Sequence, residues 1–122
     1  MKESYRVVIV DDNLDITGVF ADIFELTGNK VVGIGHDGKD AVELFLKHKP
    51  DFIFIDVMMP KMNGIDALKV IKENNPNAKV IMVTADSSTN TIKEIEKLDA
   101  TAIILKPFKI EDVMKVIEKF KD

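Results

Sequence analysis

Five runs of four residues are almost wholly apolar: Val7-Val8-Ile9-Val10, Val31-Val32-Gly33-Ile34, Phe52-Ile53-Phe54-Ile55, Val80-Ile81-Met82-Val83 and Ala102-Ile103-Ile104-Leu105. Their shortness and their β-branched and aromatic content predict five strands. Successive positions within a run are apolar, so both faces of each strand are expected to be covered, as in a parallel sheet lying between helices.

Between the runs the spacing becomes helical. Ile16, Val19, Phe20 and Ile23 follow the first run, and Ile110, Val113, Met114 and Ile117 follow the last. Ala41-Leu44-Phe45, Ile65-Leu68-Ile71 and Ile92-Ile95 mark three helices between them. Five βα units joined by right-handed crossovers make a doubly wound α/β fold of the flavodoxin-like kind, with expected strand order 2-1-3-4-5. The whole of residues 1–122 is expected to form one domain, with no output domain after the fifth helix.

Composition narrows the class of function. The 46% hydrophobic and 31% charged residues describe a globular chain, neither disordered nor membrane-spanning. With a net charge of −4 and Arg6 the only arginine, nothing points to nucleic acid. Zero cysteines exclude disulfides and thiolate chemistry, and Met1-Lys2-Glu3-Ser4 is not an export signal, so a cytoplasmic location with no membrane partner is expected.

In open α/β sheets, ligands gather at the carboxyl ends of the strands. Here run 1 ends in Asp11-Asp12, run 3 in Asp56, run 4 in Thr84 and run 5 in Lys106-Pro107, whereas run 2 ends in Gly35-His36. If strands 1 and 3 are neighbours, three carboxylates converge. Two of them about 4 Å apart repel by roughly 4 kcal/mol at an effective dielectric near 20. A divalent cation relieves this, and an all-oxygen donor set suits Mg²⁺, with Mn²⁺ able to substitute. The cation would let one carboxylate, Asp56, attack a phosphoryl group, while Lys106 and Thr84 supply an ammonium and a hydroxyl to its oxygens.

These segments resemble the receiver domains of bacterial and archaeal two-component response regulators. The matching stretches are Val8-Ile9-Val10-Asp11-Asp12, Ile55-Asp56-Val57-Met58-Met59-Pro60-Lys61-Met62-Asn63-Gly64, Val83-Thr84-Ala85 and Leu105-Lys106-Pro107-Phe108. The resemblance implies direct Mg²⁺ ligation by Asp12, Asp56 and the main-chain carbonyl of Met58, with Asp11 acting largely through a metal-bound water. It implies phosphorylation of Asp56 by a histidine kinase or histidine phosphotransfer protein, contacts from Lys106 and Thr84 to the phosphoryl group, and a cis Lys106-Pro107 peptide. It also implies signalling through the face formed by helix 4, strand 5 and helix 5 to a downstream protein.

Four positions stand out against that pattern. Ile103 replaces an aromatic residue common in relatives, Asp99 replaces a usual glycine after helix 4, and Met58 and Asp86 lie where relatives vary. Plainer readings exist for most of the motif residues. Asp11-Asp12 could be a helix N-cap and its neighbour, Ser87-Ser88-Thr89 read best as capping residues, and His48 as a cation near a helix C-terminus. Competing functions are weaker. An aspartyl-phosphate hydrolase would need an acid where Met58 stands, and a flavin carrier would need glycine-rich strand ends. A phosphate-independent interaction module on the same sheet is the alternative, although such a module need not retain Asp11, Asp12, Asp56 and Lys106 together.

Overall fold

A computed structural model describes residues 4–121; Met1-Lys2-Glu3, which carry most of the N-terminal segment judged above, and Asp122 lie outside the described residues. In chain order the elements are β1 (Arg6–Val10), α1 (Leu14–Leu26), β2 (Lys30–Gly35), α2 (Gly38–His48) and β3 (Phe52–Asp56). They continue with α3 (Gly64–Asn74), β4 (Val80–Thr84), α4 (Thr89–Lys97), β5 (Ala102–Leu105) and α5 (Ile110–Phe120). All strand pairs are parallel and the order is β2-β1-β3-β4-β5, as the alternation of patterns predicts.

Each central strand divides its side chains between two cores. Val8, Val10, Ile53, Ile55, Val80 and Met82 pack with Ala41, Phe45, Leu68, Ile71 and Ile95 on the α2–α3–α4 side. Val7, Ile9, Phe52, Phe54, Ile81 and Val83 pack with Phe20, Phe24, Val113 and Ile117 on the α1–α5 side. This is the two-sided burial that consecutive apolar residues require.

The expectation of full coverage fails at the two edges. In β2, Val31 and Val32 are only half-buried and Ile34 is exposed, and in β5 Leu105 is 48% exposed. An edge strand has a neighbour on one side only, so its side chains border solvent on the other. Val19 and Ile110, placed on buried helix faces by their spacing, are also about half exposed. The inward stripe of α1 runs instead through Thr17, Phe20, Ile23 and Phe24.

The helix ends follow local chemistry. Asn13, Asp37, Asn63 and Ser88 cap α1, α2, α3 and α4, each accepting from main-chain N–H groups of the first turn. His48 lies in the last turn of α2, as expected. Two helices close with the same pair of hydrogen bonds. After α1, Gly28 and Asn29 donate to the carbonyls of Glu25 and Phe24; after α4, Asp99 and Ala100 donate to those of Glu96 and Ile95. The motif needs a left-handed residue, which is Gly28 at φ 81° in one case and Asp99 at φ 62° in the other. Helix 4 thus ends conventionally, with an aspartate tolerating a glycine's conformation.

Candidate functional site

The ladder hydrogen bonds run past the strand ends and hold the reactive residues in register. Asp11 N–H donates to the Gly35 carbonyl at 3.1 Å, Val57 N–H to Val83 at 3.0 Å and Lys106 N–H to Thr84 at 2.8 Å. Val10 pairs with Ile55, Asp56 with Val83 and Thr84 with Leu105. Asp11, Asp56, Thr84 and Lys106 are therefore aligned along the carboxyl ends of the strands by the backbone itself.

There Asp11, Asp12 and Asp56 each present a carboxylate oxygen, all within 4.8 Å of one another. Asp11 and Asp56 are buried, at 2% and 5% exposure, while Asp12 faces solvent. Lys106 Nζ lies 2.9 Å from Asp11 Oδ2 and 3.2 Å from Asp56 Oδ1. One ammonium thus touches two of the three carboxylates. Burial, followed by the charge of Asp11, pushes the Asp56 carboxyl up from 3.8 to about 6, against the pull of Lys106; Asp12 adds a smaller rise. Burial works against the Lys106 charge, but its hydrogen bond to Asp11 and the two buried carboxylates outweigh that and hold the ammonium above its ordinary range.

Asp11 is already committed. Its Oδ1 accepts from Asn13 N–H at 2.9 Å and its Oδ2 from Lys106. Because Asn13, and not Asp11 or Asp12, caps α1, the plain capping role does not explain the acidic pair. His36, which the sequence offered no role, sets its Nδ1 3.1 Å from the Asp11 carbonyl oxygen.

The segment after Asp56 is shaped by two glycines. A Cβ on Gly64 would overlap the Asp56 carbonyl oxygen and lie 2.9 Å from its carbonyl carbon, while Gly64 N–H donates to Val57 at 3.0 Å. A Cβ on Gly38 would overlap the Met62 carbonyl oxygen, to which Gly38 N–H donates at 2.7 Å. The first turns of α3 and α2 therefore grip the loop from both sides, and glycine is required by close approach. Gly64 was legible only as part of a motif, and Gly38 not at all, since its partner lies 24 residues away. In the gripped loop, the Met58 side chain is 67% exposed.

Opposite, Lys106 is steadied through Phe108, whose ring stacks on Phe20 at 4.5 Å between centroids, and Phe20 in turn packs on Phe54. The Lys106-Pro107 peptide is cis, as the resemblance implied. Thr84 is fully buried, yet its hydroxyl does not meet the carboxylates: it accepts from Asp86 N–H at 2.9 Å. So the structure brings Asp11, Asp12, Asp56 and Lys106 together and turns the Thr84 hydroxyl aside.

Comparison with known proteins gives a consistent result. The chemotaxis protein CheY of Thermotoga maritima is 39% identical over 93% of this chain and 95% of its own length. CheY of Bacillus subtilis is 34% identical over 95% of this chain and 97% of its own. Among solved structures, the CheX-CheY-BeF3-Mg complex of Borrelia burgdorferi superposes with a TM-score of 0.91 at 30% identity, covering 97% of this chain and 90% of that one. Residues 7–118 match the response regulator receiver domain, and with sheet order, acidic cluster and relatives agreeing, the chain belongs to that family.

Proposed function

We propose that this chain is a phosphorylation-dependent switch in which Asp56 accepts a phosphoryl group from a phosphohistidine in a Mg²⁺-dependent reaction. The observation that carries the reading is the convergence of Asp56 with Asp11, Asp12 and Lys106 at the carboxyl ends of the strands. The donor set is all oxygen, which fits a hard cation. Asp12 and Asp56, with the Met58 carbonyl, would ligate it directly. Asp11 has both oxygens engaged by Asn13 and Lys106, which favours its acting through a bound water. When bound, Mg²⁺ supplies positive charge that offsets the repulsion between the carboxylates and an incoming phosphoryl group.

Asp56 attacks only as the carboxylate, and with its carboxyl at about 6 it is mostly ionised at neutral pH. Its oxygen bonds to phosphorus as the phosphorus–nitrogen bond of the donor breaks, leaving an aspartyl phosphate and a free imidazole. Lys106, now on Asp56 and Asp11, takes one phosphoryl oxygen, and the Thr84 hydroxyl takes another after leaving Asp86. The donor is a histidine kinase or histidine phosphotransfer protein. Turnover of an external phosphate ester is not expected, since Met58 stands where a hydrolase would hold an acid. The output surface is the α4–β5–α5 face, where exposed Leu105 and half-buried Ile103 adjoin Asp112, Lys115 and Val116 in a shallow groove.

The test is the intact mass after incubation with acetyl phosphate, with and without Mg²⁺. A metal-dependent gain of roughly 80 Da, absent from Asp56→Asn, is expected. Labelling of Asp56→Asn equal to wild type would refute the assignment, and no gain in any condition would favour a phosphate-independent interaction module.

A further inference from the structure

Asp11 is held to the β2 end by both of its main-chain groups, and one of the two partners is a side chain. Its N–H donates to the Gly35 carbonyl at 3.1 Å, one rung past the last paired residues, Val10 and Gly35. A parallel ladder would next bring the N–H of Asp37 to the Asp11 carbonyl. By then β2 has ended, and Asp37 serves as the N-cap of α2. In place of that rung stands the ring of His36, with Nδ1 3.1 Å from the Asp11 carbonyl oxygen. A carbonyl oxygen only accepts, so Nδ1 carries the proton.

The backbone that carries this ring is fixed by α2. His36 N–H donates to Asp40 Oδ2 at 2.9 Å, and Asp40 N–H donates to Asp37 Oδ1 at 2.8 Å. Gly35 lets the first turn of α2 come this close, since a Cβ there would lie 2.6 Å from Asp40 Cβ. We infer that His36 is a positioning residue for the cation site: its Nδ1–H fixes the peptide between Asp11 and Asp12 and so aims the Asp12 carboxylate. The inference rests on the proposed Mg²⁺ ligation by Asp12 and Asp56. Asp12 is the exposed member of the acidic trio, so its direction is set by its backbone rather than by packing. That backbone is pinned on both sides, by Asn13 N–H on Asp11 Oδ1 at 2.9 Å and by His36 on the Asp11 carbonyl. His36 itself lies outside the cluster of candidate ligands. Its contribution is to orient a ligand before the cation arrives, which lowers the ordering cost of binding.

The test is a titration of Mg²⁺ into the metal-free protein, read from backbone amide NMR shifts, for wild type, His36→Leu, His36→Asn and His36→Gln. It is run at pH 8.5, above the range in which imidazole takes up a proton, so that loss of ring charge does not enter. Leucine keeps the bulk and loses the donor. The Asn amide nitrogen is attached to Cγ, as Nδ1 is, and restores the donor; that of Gln lies one carbon farther out. His36→Leu and His36→Gln should bind Mg²⁺ about threefold more weakly than wild type, which is what one partly exposed hydrogen bond is worth. His36→Asn should match wild type, a rescue that a role in bulk or packing would not give. Ring ¹⁵N shifts of the metal-free wild type at the same pH should place the proton on Nδ1. A proton on Nε2, equal Mg²⁺ affinity in wild type and His36→Leu, or His36→Asn as weak as His36→Leu overturns the positioning role and leaves the switch reading intact. Failure of wild type itself to bind Mg²⁺ overturns both this role and the cation reading.

Discussion

Replacing Asp56 with Asn should stabilise the metal-free protein at neutral pH, although it removes a hydrogen-bonding charge from the site. Asp56 has a carboxyl raised from 3.8 to about 6 by burial and by Asp11. A raised carboxyl means that the folded state prefers the protonated form. The stabilisation that goes with it is fully present below 3.8 and is lost as pH rises through about 6. At about 1.36 kcal/mol for each factor of ten in proton affinity, the ionised side chain would cost the fold about 3 kcal/mol if sealed from water. The carboxylate opens onto the site and is screened, so about 1–2 kcal/mol is the better figure. Asn keeps the shape and carries no charge, and Lys106 keeps Asp11 at 2.9 Å. Urea unfolding followed by circular dichroism in EDTA should show the variant more stable than wild type at pH 7.5 and no such advantage at pH 4. Added Mg²⁺ should recover wild type and leave the variant nearly unchanged. A variant less stable than wild type at pH 7.5 in EDTA, or a difference independent of pH, would show that the buried Asp56 charge does not burden the fold.

Three further outcomes follow from particular contacts. Lys106→Met leaves the buried Asp11 Oδ2 without its ammonium, so the Asp56 carboxyl should titrate above 6 in a ¹³C-detected pH series, with metal-free stability falling by about 2–3 kcal/mol at pH 7.5; an unmoved Asp56 titration would count against the pairing. Gly64→Ala drives a methyl into the Asp56 carbonyl, which no rotamer relieves, so a loss of about 2–3 kcal/mol in urea unfolding and slower labelling by acetyl phosphate are expected; wild-type values in both would show that α3 does not grip the loop. Asp99→Gly relieves a left-handed aspartate after α4 and should raise stability by about 0.5–1 kcal/mol, with Gly28→Ala costing about as much after α1; opposite signs in thermal unfolding would contradict the shared motif.

The elements and their order were legible in the sequence because the signals are local. Four consecutive apolar residues at Val7–Val10 or Phe52–Ile55 mean a strand covered on both faces, and that spacing shifts to a helical one at Phe20 or Val113. The charged strand ends were legible too, since Asp11, Asp12, Asp56 and Lys106 interrupt or close apolar runs where an ionisable group needs a partner. Where coverage stops was not legible, because Ile34 and Leu105 read like central residues within their runs and how far the helices close over an edge strand is set by packing. The same holds for Gly38 against Met62 and for Thr84 held by Asp86. A run of residues states which groups prefer to be buried or charged. Which backbone atom comes within van der Waals contact of a glycine, or which of two partners a hydroxyl faces, depends on segments far apart in the chain, and only the packed structure decides it.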